Sequence, residues 1–146
     1  RSAALNMVIT STGAVNAVGK ALPELNGKLT GNAIRVPTPN VSLAILSLAI
    51  GEIVSKDQLN NYLKSMAFHS RYRETIGFVN SSEIVSTDFY SSAFASVIDS
   101  QATIASKKRI VLYCWYDNEY GYSKQVMNLT KKLVDIKLPR LPLPIS

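Results

Sequence analysis

Apolar positions along the chain alternate between helical and strand spacing. From Gly13 to Leu22, Ala14, Val15, Ala17, Val18, Ala21 and Leu22 recur at intervals of three and four. That period predicts a short helix, with Ser11 and Thr12 as N-cap candidates and Pro23 and Gly27 closing it. Leu29 to Val36 reads as a strand stopped by Pro37 and Pro39, and Ser42 to Ile50 as a largely buried strand. Ser55-Lys56-Asp57-Gln58 is a capping-box signature, and Leu59, Tyr62, Leu63 and Met66 then keep helical spacing to about Phe68. Further strands are predicted at Ile76–Val79, Glu83–Thr87, Ser96–Ala105 and Arg109–Asp117, and a last helix from about Tyr122 to Val134. The tail Leu138–Ile145 carries three prolines and is expected to be extended and outside any sheet.

Strands therefore follow one another without crossover helices, and only a few helices interrupt them. This order predicts an α+β fold with a mixed, mainly antiparallel sheet and helices packed on it. No internal repeat is present. No Gly-x-Gly-x-x-Gly follows a strand, so the βαβ unit that binds dinucleotides is not in this sequence.

Composition narrows the class. Hydrophobic residues make up 47% and charged residues 18%, which suits a globular chain with a core. Apolar stretches such as Val41 to Leu46 are too short, and too broken by serine, to span a bilayer, and no signal-peptide pattern is present. A first residue of Arg1 rather than methionine leads us to expect an incomplete chain. The lone Cys114 excludes an internal disulfide framework and fits a reducing cytoplasm. Its run, Ile110 to Tyr116, favours a small buried hydrophobe over a nucleophile, which needs an accessible, electropositive setting. Sixteen basic against ten acidic residues give +6, but the excess is scattered, so a specific nucleic-acid surface is not expected. Anionic small molecules such as phosphates suit it better.

Three segments carry chemistry. Ser11-Thr12-Gly13-Ala14 opens a helix, where free N–H groups and the positive dipole end favour phosphate; an ordinary cap is the simpler alternative. Arg35 is a charged residue inside an apolar strand. If that strand returns toward the helix start, its guanidinium and the Thr12 amide meet one phosphate; otherwise Arg35 faces water. Trp115-Tyr116-Asp117-Asn118-Glu119-Tyr120-Gly121-Tyr122-Ser123 is dense in polar and aromatic groups. Asn118 offers a carbonyl and an NH₂ that match an amide-bearing ligand such as nicotinamide, although a tight strand-to-helix turn explains the same residues. His69 has no second histidine or paired cysteine beside it, so no zinc site is expected, and a helix-terminal surface position suits it.

Taken together, these segments resemble the glyceraldehyde-3-phosphate dehydrogenase family. The resemblance rests on Ser11-Thr12-Gly13-Ala14, Val18-Gly19-Lys20, Leu22 to Gly31, Arg35 to Ser42, Val85-Ser86-Thr87-Asp88-Phe89 and Trp115 to Ser123. These blocks stand in the family's order and cover the chain to about Leu133. The resemblance implies a partial catalytic, C-terminal domain over 1–134 with a proline-rich tail over 135–146, and a Rossmann domain lying upstream. It implies oxidation of glyceraldehyde 3-phosphate with inorganic phosphate to 1,3-bisphosphoglycerate, with NAD or NADP accepting hydride, in a cytoplasmic homotetramer.

By the same resemblance Thr12, Gly13 and Arg35 contact phosphate, and Asn118, Glu119 and Tyr122 contact the cofactor. The family's nucleophilic cysteine and base histidine are expected upstream of Arg1. Neither Cys114 nor His69 matches them, so no catalytic residue is assigned and the chain alone is expected to be inactive. Ser91-Ser92-Ala93-Phe94 and the tail after Ile136 depart from the family pattern. An erythrose-4-phosphate dehydrogenase and a non-catalytic phosphate- or partner-binding fragment are the alternatives.

Overall fold

The computed structural model describes residues 2–136, so all but the first two residues of the tail expected over 135–146 lie outside the described residues. The chain divides into two compact units, one up to Pro39 and one from Asn40 onward. In the first, a 3-10 turn Ala3–Leu5 precedes β1 (Val8–Thr10), α1 (Ala14–Ala21), a second 3-10 turn Pro23–Leu25 and β2 (Ala33–Arg35). β2 runs antiparallel to β1, with Val8 opposite Arg35 and Thr10 opposite Ala33. Periodicity located α1 but not β1, whose three residues are too few to show alternation. A Cβ on Gly31 would stand 3.3 Å from a Val15 methyl and 4.0 Å from the Thr12 methyl. Glycine there lets the chain pass close to the start of α1.

The second unit contains β3 (Ser42–Ala49), α2 (Lys56–His69), β4 (Ile76–Val79), β5 (Ser96–Asp99), β6 (Ile104–Ser106), β7 (Arg109–Tyr116) and α3 (Tyr120–Leu133). The sheet order is β3-β7-β5-β4, with β6 also paired to β7. Every pairing is antiparallel except β4 with β5. The fold is α+β with a mixed, mainly antiparallel sheet, as the element order predicts. The expected capping box of α2 forms: Gln58 N–H donates to Ser55 Oγ at 3.1 Å, and Ser55 N–H to Gln58 Oε1 at 2.9 Å.

Two expected strands differ. Residues 83–87 form no strand; Ser86–Phe89 is a 3-10 turn, closed by Val85 N–H donating to Asp88 Oδ2 at 2.7 Å. Its side chain satisfies locally what a ladder would have satisfied. The expected single strand Ser96–Ala105 is two strands on the same edge of β7. Ile98 pairs with Cys114 and Ile104 with Val111, so residues 99–103 bulge past 112 and 113. Asp99 stabilises the bulge by accepting from Ala102 N–H and, through its carbonyl, from the Thr103 hydroxyl.

Strand alternation places the core. Ile110, Leu112 and Cys114 of β7 join Ile98 on one face, with Leu59 and Leu63 of α2 against them. On the opposite face Trp115 stacks on Phe89, ring centroids 5.3 Å apart. Along the same face Leu43 pairs with Trp115 and Ile45 with Tyr113, and Ile45 is 58% exposed. Apolar side chains are also exposed on α3 (Val126, Met127, Leu129, Leu133) and on the first unit (Met7, Ile9, Ile34). No helix among the described residues is long and apolar enough to cross a membrane.

Two outcomes are expected. Ser55→Ala should lower the unfolding free energy by about 1 kcal/mol, read from urea denaturation. Residues 1–146 produced alone should elute in size-exclusion chromatography well above the 16.0 kDa of one chain, because apolar patches of this extent drive association.

Candidate functional site

The central strand β7 ends at Tyr116, and the next residue changes the chemistry. Asp117 is only 2% exposed, yet its carboxylate is fully partnered. Oδ1 accepts from Tyr120 N–H at 2.8 Å and Glu119 N–H at 2.9 Å. Oδ2 accepts from Ser91 N–H at 2.9 Å and Asn40 Nδ2 at 3.1 Å. The Tyr120 amide, then those of Ser91 and Glu119 and the Asn40 side chain, hold the carboxyl below its usual range, and burial opposes them without prevailing. The partners at the start of α3 also place the charge at the positive end of the helix.

Asn118 and Glu119 follow on the exposed crest of this turn. Asn118 Oδ1 accepts one bond, from Ser42 Oγ of β3 at 3.5 Å, the outer limit for such a contact. Its NH₂ is directed to no hydrogen-bond partner within the described residues. A cavity of about 290 Å³ is lined by Ala95, Tyr116, Asp117, Asn118, Gly121, Tyr122 and Gln125. A second of about 310 Å³, bordered by Asn40, Ser91, Tyr120 and Ser123, lies across the turn. Asn118 and Tyr122 face the first and Glu119 the second, with Asp117 bordering both.

The N-terminus of α3 is docked closely. Gly121 is buried, and a Cβ there would stand 2.7 Å from the Phe94 carbonyl oxygen. Gln125 Nε2 donates to the Ala93 carbonyl at 3.2 Å. The segment Ser91–Phe94 thus seats the turn that carries Asn118.

In the first unit, α1 forms where expected, but its N-cap is Gly13 and not Ser11 or Thr12. Ala14 N–H donates to Thr12 Oγ1 at 3.2 Å, so one free amide is already capped by the side chain. Ala17 N–H donates to the Gly13 carbonyl. Arg35 is exposed at the far end of the β1–β2 ladder, opposite Val8, whereas Thr12 lies two residues beyond Thr10. Pairing of β2 with β1 thus returns Arg35 to the unit that begins α1.

Cys114 is buried in β7, and burial pushes its thiol up, with the Ser96 side chain partly offsetting this. His69 closes α2 and is exposed. No cluster of three or more metal-ligating side chains occurs among the described residues. Asp117 was expected only as a turn former, and Asn40 and Ser91 carried no expected role at the site. An aspartate directly before the exposed Asn118, at the end of a buried strand and three residues before a helix, was the available signal for the first. Nothing local marks the other two, because their partner lies 77 and 26 positions away.

The arrangement defines an α+β domain that presents polar and aromatic groups on the turn at the end of its central strand. A profile described as the glyceraldehyde 3-phosphate dehydrogenase, C-terminal domain, matches residues 1–118, and the chain belongs to this family. It is 55% identical over 142 residues to a glyceraldehyde-3-phosphate dehydrogenase-like protein of Pseudomonas aeruginosa (strain UCBPP-PA14), covering 97% of this chain and 31% of that protein. Identity is 46% over 132 residues to glyceraldehyde-3-phosphate dehydrogenase 2 of Drosophila melanogaster, 90% and 39% of the two chains. Against the glyceraldehyde-3-phosphate dehydrogenase of Haemophilus influenzae it is 43% over 142 residues, 94% and 42%. The chain therefore spans less than half the length of these relatives.

The turn generates two tests. Gly121→Ala should destabilise the protein by about 2–3 kcal/mol in chemical denaturation, since backbone, not a movable side chain, occupies the space. For Asp117, the unfolded carboxyl titrates near ~3.9 and the folded one lower. Its stabilising contribution is thus complete above that range and is lost as pH falls through the folded value. Melting temperature measured from pH 5 to pH 3 should fall more steeply in the native protein than in Asp117→Asn.

Proposed function

We propose that the chain is part of a cytoplasmic, homo-oligomeric oxidoreductase that oxidises glyceraldehyde 3-phosphate with inorganic phosphate, using NAD or NADP. The observation that carries this reading is the Asp117-held turn, which offers the Asn118 amide and Tyr122 to one cavity. A primary carboxamide needs one donor and one acceptor in a plane, and an asparagine side chain supplies both. The tyrosine-flanked cavity suits a flat ring. These residues fit a nicotinamide, which when bound would supply the hydride acceptor. Asn118 would hold the carboxamide and so orient the ring, with Tyr122 beside it. Glu119, on the other side of the turn, would act at the edge of this region.

Thr12, Gly13 and Arg35 are assigned to phosphate. The amides at the start of α1 and the positive dipole end stabilise an anion, and the Arg35 guanidinium adds a fork of donors. The β1–β2 pairing keeps the strand of Arg35 beside the strand that leads into α1, and both belong to one compact unit. A substrate phosphate and an attacking inorganic phosphate are two such anions. Acyl transfer by this route also requires a thiolate and a base held together. Cys114 is buried and raised in pKa, and His69 lies exposed at a helix end, so neither is assigned that work.

Residues 1–146 alone are expected to produce no NADH from glyceraldehyde 3-phosphate, phosphate and NAD. In the protein expressed from its complete reading frame, Arg35→Ala should raise the KM for a phosphate-bearing reactant about tenfold or more, the loss of a charge-assisted bond. An unchanged KM for both phosphate and aldehyde would remove Arg35 from the site.

A further inference from the structure

Asn118 has little of its own to hold it. Its side chain is exposed, and Ser42 Oγ stands 3.5 Å from its carbonyl oxygen. Whatever direction the amide keeps must come from the backbone on either side. That backbone is fixed by the residue before it. The Asp117 side chain holds the two amides that follow Asn118, and the Asp117 carbonyl accepts from Gly121 N–H at 3.0 Å.

A helix cap would need nothing more, yet the second carboxylate oxygen reaches two distant segments. Both are in left-handed backbone: Ser91, whose N–H it accepts, has φ 59, and Val41, next to Asn40, has φ 71. Neither is glycine, and such conformations persist only where the surroundings over-determine them. Asn40 completes the link, donating through Nδ2 to Asp117 and accepting from Val41 N–H through Oδ1 at 2.7 Å. Val41 itself is buried against Phe89 and Val97. One carboxylate thus ties the ligand-facing turn to two strained loops and the core beneath them.

We infer that Asp117 is a positioning residue for cofactor binding: it fixes the Asn118 amide where a nicotinamide carboxamide meets it, and Asn40 is its second anchor. This rests on the reading that Asn118 receives the carboxamide. Asparagine at position 117 keeps the shape but brings an NH₂ group against one pair of the four donors, so the turn loses its fixed geometry. The amide at 118 must then be ordered each time the ring binds.

The experiment compares NAD with ADP-ribose, which lacks the nicotinamide, by calorimetry on the protein expressed from its complete reading frame. Asp117→Asn, Asn40→Ala and Asn118→Ala are measured beside the native protein, and circular dichroism checks folding. In Asp117→Asn and Asn118→Ala, NAD affinity should fall about three- to tenfold while ADP-ribose affinity stays as it was, the expected range for one side chain left unordered. Asn40→Ala should show a smaller loss in the same direction, and it carries the test if Asp117→Asn does not fold. Equal losses for both ligands, or an unchanged preference for NAD in the Asp117 and Asn40 variants when Asn118→Ala abolishes it, would overturn the inference. An unchanged preference in Asn118→Ala would overturn the reading beneath it.

Discussion

A carboxylate withdrawn from water has to recover its hydrogen bonds from protein, and at the end of β7 that requirement falls on Asp117. Two of its partners are amides at the start of α3, one is an amide 26 positions earlier, and one is a side chain 77 positions earlier. Satisfying it therefore fixes the helix start, the Ser91 turn and the entry to β3 together. Left with unpaired donors, those same groups would each carry a desolvation penalty of about 1–3 kcal/mol. The exposed residues Asn118 and Tyr122 lie on the backbone that this arrangement anchors.

The sheet meets the complementary apolar requirement unevenly. One face is closed by α2 over Ile98, Ile110, Leu112 and Cys114. The other is closed only beside Trp115, where Phe89 stacks on it, and stays open along Leu43 and Ile45. The polar turn lies at the end of the strand that is common to both faces. The turn is anchored beside the closed region, and the open region leaves apolar side chains exposed.

Where the strand expectations differ from the structure, polar side chains are responsible. Asp88 closes a 3-10 turn where alternation suggested a strand, and Asp99 turns one expected strand into two that flank a bulge. In each, the carboxylate takes an amide that a ladder would otherwise have used. Thr12, Gly13 and Arg35 show a different limit. Helix start and returning strand were both legible there, but β1 and its register with β2 were not.

The residue order by itself determined α1, α2, β3, β4, β7 and α3, because each carries its own period or cap within a single window. It also determined the family, because the matching blocks are contiguous runs, and it marked Asn118 by its chemistry. Only the tertiary structure decided that Asp117 is the shared acceptor, that Val41 and Ser91 adopt left-handed backbone around it, and that Asn118 and Glu119 border different cavities. These are consequences of long-range partners meeting one buried charge. No local pattern encodes such a meeting, since hydrogen bonds between residues 26 or 77 positions apart leave no period behind.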